Sequence, residues 1–325
     1  MPGRSPMICS YSPDSTNLSA SRRGGQPATL SSAGRPTLTG WPIADCSCGP
    51  SQEAGGEQYH QYWDLTGGLT LQPVLILLHG ATLNGHMWDP VRRELDARYE
   101  LLAPDLPGHG SRRRGKYTLN SAIHCVVEAA QSVAPASIVV GGDSLGGYTA
   151  LAAAASLPAR QLKGLVLCGS SSNLTGATLW SYRLRAILLR ALSAVFDEDR
   201  LIRSQVAKQL AAMQFPARDI QAMIGAGISL KTFAQAVDAL RDVDFRAKLA
   251  AVDHPVVIIN GDRDKSNVRQ EASFLAVAKQ PMSHRIANCD HGVSLRRPAE
   301  VAGVINNFAA KAFALEGHPA YRSFG

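Results

Sequence analysis

Residues 138–157 constrain this chain more than any other stretch. The apolar run Ile138-Val139-Val140 leads into Gly142-Asp143-Ser144-Leu145-Gly146-Gly147, and an Ala-rich segment, 149–157, follows. A short β-branched run, then Gly-x-Ser-x-Gly, then helix formers, reads as strand, sharp turn, helix. In that context the motif places a serine on a nucleophile elbow. The serine takes a strained backbone angle to push its Oγ clear of the sheet. Side chains two residues to either side would collide there, so Gly142 and Gly146 meet a steric need.

The flanking sequence continues the alternation. Val74-Leu75-Ile76-Leu77-Leu78 is an unbroken apolar run of the kind found in strands buried on both faces, and it ends in His79-Gly80. A helix with Trp88, Val91 and Leu95 on one face should follow, then a strand over 99–103. The next loop, Pro104-Asp105-Leu106-Pro107-Gly108-His109-Gly110-Ser111, is too rich in breakers for a helix or strand. Asn120 is expected to cap a helix reaching about 133, and Gly164-Leu165-Val166-Leu167-Cys168 reads as another buried strand. A short strand or hairpin is expected over 59–71 around Gly67-Gly68.

From 171 to 251 the strands stop. Helix-period segments take over at 179–195, 200–213, 219–224 and 232–240. Strand patterning resumes at Val256-Val257-Ile258-Ile259, with a helix over 268–278, a short strand at 284–287 and a last helix from Pro298. The expected organisation is therefore an α/β core over 59–170 and 252–315, interrupted by a helical cap insertion at 171–251, with a tail at 316–325. Residues 1–58 differ from all that follows. Ser, Pro, Gly and Thr dominate, acids are almost absent before Asp45, and no period persists, so a disordered or mis-assigned leader is expected. Its Arg- and Ser-rich, acid-poor composition echoes an organellar transit peptide, while Pro2, Pro6, Pro13 and Pro27 oppose an amphipathic helix.

Composition narrows the partners. The formal charge of +7 is spread over separate clusters such as Arg22-Arg23, Arg112-Arg113-Arg114 and Arg296-Arg297, with no aromatics between them, which disfavours nucleic-acid binding. The most apolar window, 136–159, contains Asp143, Ser144 and four glycines, each accounted for by the elbow, so no stable membrane insertion is expected. Six cysteines (Cys9, Cys46, Cys48, Cys125, Cys168 and Cys289) form no CxxC pair. A reducing, cytoplasmic setting is the expectation, organellar if 1–58 is a transit peptide.

Serine is a poor nucleophile at neutral pH. It needs a base to take its proton, and that base needs an acid to fix its tautomer. In the order Ser…Asp…His, the acid follows a later strand and the base the last one. Asn260-Gly261-Asp262-Arg263-Asp264 and Asp290-His291-Gly292 occupy those places, at strand carboxyl ends where open parallel sheets form their ligand crevice. Asp262 competes with Asp264 as the acid, and His254 and His284 compete with His291 as the base. Asp290, the base's own sequence neighbour, is poorly placed to be its acid.

These motifs together resemble the α/β-hydrolase fold with a helical cap, over roughly 70–313. The carriers are His79-Gly80, the loop 104–111, the elbow 142–146, the return Leu249-Ala250-Ala251-Val252-Asp253-His254-Pro255-Val256, and Gly261-x-x-Asp264. The resemblance implies Ser144 as nucleophile, Asp264 as acid and His291 as base, with the backbone N–H groups of Ala81 and Leu145 forming an oxyanion hole. It implies no cofactor and no metal. His79 and His109 are expected to shape loops, and His86 to face either the pocket or solvent. Trp180, Tyr182 and Phe233 are the expected substrate contacts among the apolar cap residues. A serine at the elbow argues against the aspartate-dependent dehalogenases and epoxide hydrolases of this fold. The expected activity is hydrolysis of a small, fairly apolar carboxylic ester or lactone through an acyl-enzyme. A carbon–carbon bond hydrolase with the same triad and a ligand-binding receptor with slow or no turnover are the alternatives. The partner is a small-molecule substrate, and the sequence leaves the oligomeric state open.

Overall fold

The computed structural model describes residues 61–63, 69–195 and 203–314. The expectations for 1–58 and 316–325, with Cys9, Cys46 and Cys48, lie outside the described residues.

Eight strands are described: β1 (Gln61–Trp63), β2 (Leu69–Leu71), β3 (Val74–Leu78), β4 (Glu100–Leu102), β5 (Ile138–Asp143), β6 (Leu162–Cys168), β7 (Val256–Gly261) and β8 (Pro281–Ile286). β1 and β2 pair antiparallel as a separate ribbon, with Gln61 opposite Leu71. The other six form one wholly parallel sheet in the order β4-β3-β5-β6-β7-β8. Period-2 alternation sends Val74, Ile76 and Leu78 into one core and Leu75 and Leu77 into the other. β3, β5 and β7 are buried at every position, as strands covered on both faces must be. At the edge, β8 alternates exposed and half-buried residues before the buried Ile286.

The helices are α1 (Asp89–Arg92), α2 (Leu119–Ser132), α3 (Leu145–Ala153), α4 (Gly176–Val195), α5 (Arg203–Ala212), α6 (Ala217–Ala226), α7 (Lys231–Leu240), α8 (Phe245–Ala250), α9 (Lys265–Leu275), α10 (Val293–Arg296) and α11 (Pro298–Ala314). Two details differ from expectation. The α2 cap is Thr118, not Asn120: the Thr118 and Ser121 side chains exchange bonds with each other's backbone N–H groups, a reciprocal box that Asn120, two residues further on, is too late to make. The short helix α8 was not anticipated, and it is capped by Asp244, whose carboxylate accepts from Ala247 N–H.

Helices α4–α8 all lie between β6 and β7, and two loops tie them to the rest of the fold. The Asn84 side chain donates to the carbonyls of Met223 (2.7 Å) and Gly227 (2.9 Å), and Ser229 N–H donates to Thr82 C=O (3.1 Å). The segment after His79 is therefore fastened to the turn between α6 and α7.

Candidate active site

Four loops at the carboxyl ends of β3, β5, β7 and β8 converge here, because parallel strands all deliver their ends to one side. At the end of β5 the chain turns at once into α3, and Ser144 sits at φ 53°, ψ −113°. That geometry costs a non-glycine residue roughly 1–3 kcal/mol, held by the surrounding packing. A Cβ on Gly146 would overlap the Leu78 carbonyl oxygen, and one on Gly142 would overlap both that oxygen and the Gly146 backbone. The two glycines thus let β3, β5 and α3 close on the elbow.

Ser144 Oγ lies 2.9 Å from His291 Nε2, and His291 Nδ1 lies 2.6 Å from Asp264 Oδ2. A carboxylate only accepts, so Nδ1 carries the proton and Nε2 is the acceptor facing the serine hydroxyl. Asp264 itself caps α9 and also accepts from Asn267 Nδ2 (2.8 Å) and Ser266 Oγ (2.8 Å). Burial works against its charge, but the bond to His291 and these further donors win and hold its carboxyl down to about 2. For His291, burial disfavours the cation, yet the hydrogen bond and charge of Asp264 outweigh it and raise the imidazole above its ordinary value.

The competing residues are elsewhere. Asp262 accepts from Cys289 N–H (3.1 Å) and so braces the loop before His291 without touching the ring. His284 pairs with Glu300 at 3.1 Å on the edge strand, and His86, exposed, pairs with Asp89 at 2.8 Å. His254 lines none of the cavities at Ser144.

Asp143 and Ser294 help build the site without having been singled out for it in the sequence, while His79 and His109 shape loops as expected. Asp143, 2% exposed, accepts from Ser294 Oγ (2.5 Å) and Ser294 N–H (3.4 Å), pinning the residue before the serine to the helix that follows His291. Burial pushes the Asp143 carboxyl upward. His79 accepts Leu106 N–H at Nε2 (2.9 Å), so its Nδ1 donates to Gly80 C=O (2.9 Å). His109 accepts Thr82 N–H at Nε2 (3.2 Å) and donates from Nδ1 to Pro107 C=O (3.1 Å). The rings meet edge to face at 4.7 Å. Burial, with His79 alongside, pushes His109 down to about 3. Both rings are thus neutral braces on either side of Ala81, one on the Gly80 carbonyl and one on the amide of Thr82, which is held at φ 71°. The signal for Asp143 was its place inside the elbow motif, where a buried acid needs a donor.

A cavity of about 750 Å³ opens on Ser144 and His291, walled by Ala81, Leu83, Met87, Leu210, Met213 and Leu230 among others. A second, of about 40 Å³, also reaches Ser144 and His291, and Ala81 lines both while Leu145 lines the small one. Tyr182 and Phe233 stack at 5.9 Å and border both cavities, with the Arg185 guanidinium 5.2 Å over the Phe233 ring. Trp180 corrects an expectation. It is 72% exposed on the opposite face of α4 and lines neither cavity, because residues two apart on a helix point about 200° from each other. Phe215 and Met223, two further apolar residues between β6 and β7, are core residues.

The profile of the Alpha/beta hydrolase family matches residues 75–304. The chain belongs to that family. Its curated relatives include the pimeloyl-[acyl-carrier protein] methyl ester esterase of Stenotrophomonas maltophilia strain R551-3, 28% identical over 73% of this chain and 93% of the relative. The enzyme of the same name from Neisseria meningitidis serogroup C is 32% identical over 58% of this chain and 74% of its own length. Among solved structures, MenH from S. aureus superposes with a TM-score of 0.62 at 19% identity, over 74% of this chain and 95% of that one. An esterase from Exiguobacterium antarcticum gives 0.61 at 16%, over 78% and 100%. At such identities the structural likeness speaks for the fold. Among the described residues no helix is long and apolar enough to cross a membrane.

Proposed function

We propose that this hydrolase cleaves a small, fairly apolar carboxylic ester or lactone through an acyl-enzyme on Ser144. The observation that carries the reading is the unbroken chain Ser144–His291–Asp264 opening onto a mostly apolar cavity. His291 Nε2 takes the Ser144 proton as Oγ attacks the ester carbonyl carbon. The developing oxyanion turns to the N–H groups of Ala81 and Leu145, each such donor being worth about 2.7–4 kcal/mol of transition-state stabilisation. His291 then gives its proton to the departing alcohol oxygen. A water, deprotonated by the same nitrogen, attacks the acyl-enzyme, the acyl–Oγ bond breaks to release the acid, and His291 returns the proton to Ser144 Oγ. Asp264 keeps the imidazole in the required tautomer and stabilises the cation that forms in each half-reaction. The curated relatives' methyl ester chemistry supports an ester over carbon–carbon cleavage.

A fluorophosphonate probe read by intact mass tests this. One adduct on the full chain, absent in Ser144→Ala, is the expected result. An unlabelled wild type beside a labelled control hydrolase overturns it, and labelling that survives Ser144→Ala puts the nucleophile elsewhere.

A further inference from the structure

The two cavities share Ser144, His291, Ala81, Tyr182 and Phe233 and differ about twentyfold in size, about 750 against about 40 Å³. An ester held for attack by Ser144 has two arms, one on the acyl carbon and one on the alcohol oxygen. With the stacked Tyr182–Phe233 pair standing at the junction, the two arms are led into different spaces. The smaller holds about three water-sized groups, since each needs roughly 10–15 Å³.

Its walls say what kind of group fits. Phe233, Ala236, Val237 and Leu240 present one face of α7 at spacings of three and four, and Leu145 and Leu174 close the other sides. Apart from Ser144, His291 and the Ala81 and Leu145 N–H groups that the proposed reaction uses, the polar side chains lining it are already engaged. Tyr148 Oη bonds Ser172 Oγ (2.8 Å), Asn267 Nδ2 donates to Asp264 (2.8 Å), and Asn267 Oδ1 accepts from Ser171 N–H (2.8 Å). A polar occupant would displace one of these bonds, so the space suits a short aliphatic group. Its walls are also firm: Ala236, Val237 and Leu240 are each 4% exposed, with Ala236 and Leu240 packed into the core and Val237 against Phe233 and Ala186. A longer chain cannot be admitted by swinging a surface side chain aside.

We infer that the small cavity is a size-limited subsite. It selects lopsided esters, with one aliphatic arm of about three non-hydrogen atoms or fewer and a much longer arm in the large cavity; Val237 and Leu240 set the limit. This rests on the serine-hydrolase reading above and adds the shape of the substrate to it. The short arm can be either the alcohol or the acyl side, and two ester series separate them. One is the methyl, ethyl, butyl and hexyl esters of octanoic acid. The other is octyl acetate, propionate, hexanoate and octanoate.

The expected result is a fall in kcat/KM of at least about tenfold once one series exceeds the limit, the usual cost of a misfitting methylene or more, with a shallow length dependence in the other. Val237→Ala combined with Leu240→Ala should lift that cutoff for the butyl or hexanoyl member while the shortest substrate loses rate. Tryptophan fluorescence and fluorophosphonate labelling of the double variant check that it is folded and its serine is active. Should both series tolerate long arms equally, the subsite is refuted. The same holds if the cutoff is untouched in a labelled double variant, or if Ser144 labels but neither series turns over. If wild type neither labels nor hydrolyses any ester, the serine-hydrolase reading itself has failed and the subsite falls with it.

Discussion

The loops beneath the cavity and the helices above it are held in place by different means. Ser144, Asp264 and His291 each follow a parallel strand, and side-chain hydrogen bonds fasten their loops: Asp143 to Ser294 Oγ and N–H, Asp262 to Cys289 N–H, His79 to Leu106 N–H and His109 to Thr82 N–H. The helices α4 and α7 instead meet through a small apolar cluster of Ala186, Phe233 and Val237, with half-buried Leu179, Tyr182 and Leu189 around it. Directional bonds tolerate little displacement, whereas an apolar contact accepts substitution by another apolar side chain of similar volume at modest cost. On the proposed function, the reaction geometry is built into the lower half, and substrate choice into a half that can change without disturbing it. Substitutions in the two regions should separate into losses of kcat and changes of KM.

The largest expected effect is Ser144→Ala, which should lower kcat by about 10⁶-fold, as removal of a triad serine does elsewhere. The folded state should survive, since alanine keeps the Cβ and the same backbone geometry and loses only the hydroxyl. Far-UV circular dichroism and Tm check the fold. A residual rate within a hundredfold of wild type would mean that the lower half does not work through this serine.

Asp264→Asn comes next, with kcat down by about 10⁴-fold, because an amide can donate to Nδ1 and turn the imidazole to the wrong tautomer. The pH profile carries a second signature. In the proposed mechanism His291 acts as base only when neutral, and its value is raised above 6.5, so the acid limb of kcat/KM should lie above that pH in wild type. Removing the Asp264 charge should move the limb down. The carboxylate's own value is depressed to about 2, so its contribution to stability is full above its unfolded value near 4 and is lost as pH falls toward 2. An unmoved acid limb in Asp264→Asn would show that another group titrates there.

The same contrast explains how much of the molecule was legible in its sequence. The strand runs at 74–78, 138–140, 164–168 and 256–259 are continuous and apolar because both faces are covered, and the structure places strands on all four. The elbow glycines and the two later loops announce themselves because few residue types satisfy their backbone. Asp143, His79 and His109 do their positioning through partners 27 or more residues away, which no local pattern encodes. On α4 the apolar positions run almost all round the helix, so hydrophobicity could not tell Tyr182, which borders both cavities, from Trp180 on the outer face. The Thr118 cap was misplaced by two residues for a related reason. Thr and Asn are both good caps, and only the reciprocal bond to Ser121 decides between them.

A middle-sized effect tests the braces of the lower half. His109→Leu leaves the Thr82 N–H without its acceptor, a loss of about 1–3 kcal/mol that should reach the adjoining Ala81 amide. The expected outcome is a kcat lower by roughly 5- to 150-fold at nearly constant KM, with a lower Tm. A change confined to KM would place the loop's role in binding and blur the division drawn here.

The smallest effects should come from the upper half, and there two aromatic residues of neighbouring elements make the sharpest test. Phe233 borders both cavities and carries the Arg185 guanidinium on its ring, so Phe233→Ala should raise KM several-fold and leave the acid limb where it was. Trp180 is the larger side chain, yet its exposure leaves little to lose. Trp180→Ala should change kcat, KM and stability by no more than about 0.5 kcal/mol, roughly twofold. Side-chain size alone predicts the opposite order. If Trp180→Ala raised KM more than Phe233→Ala, the outer face of α4 would be the one that meets substrate. The helix would then have to turn by about half a revolution on its axis during turnover, carrying Tyr182 out of the cavity as it did so.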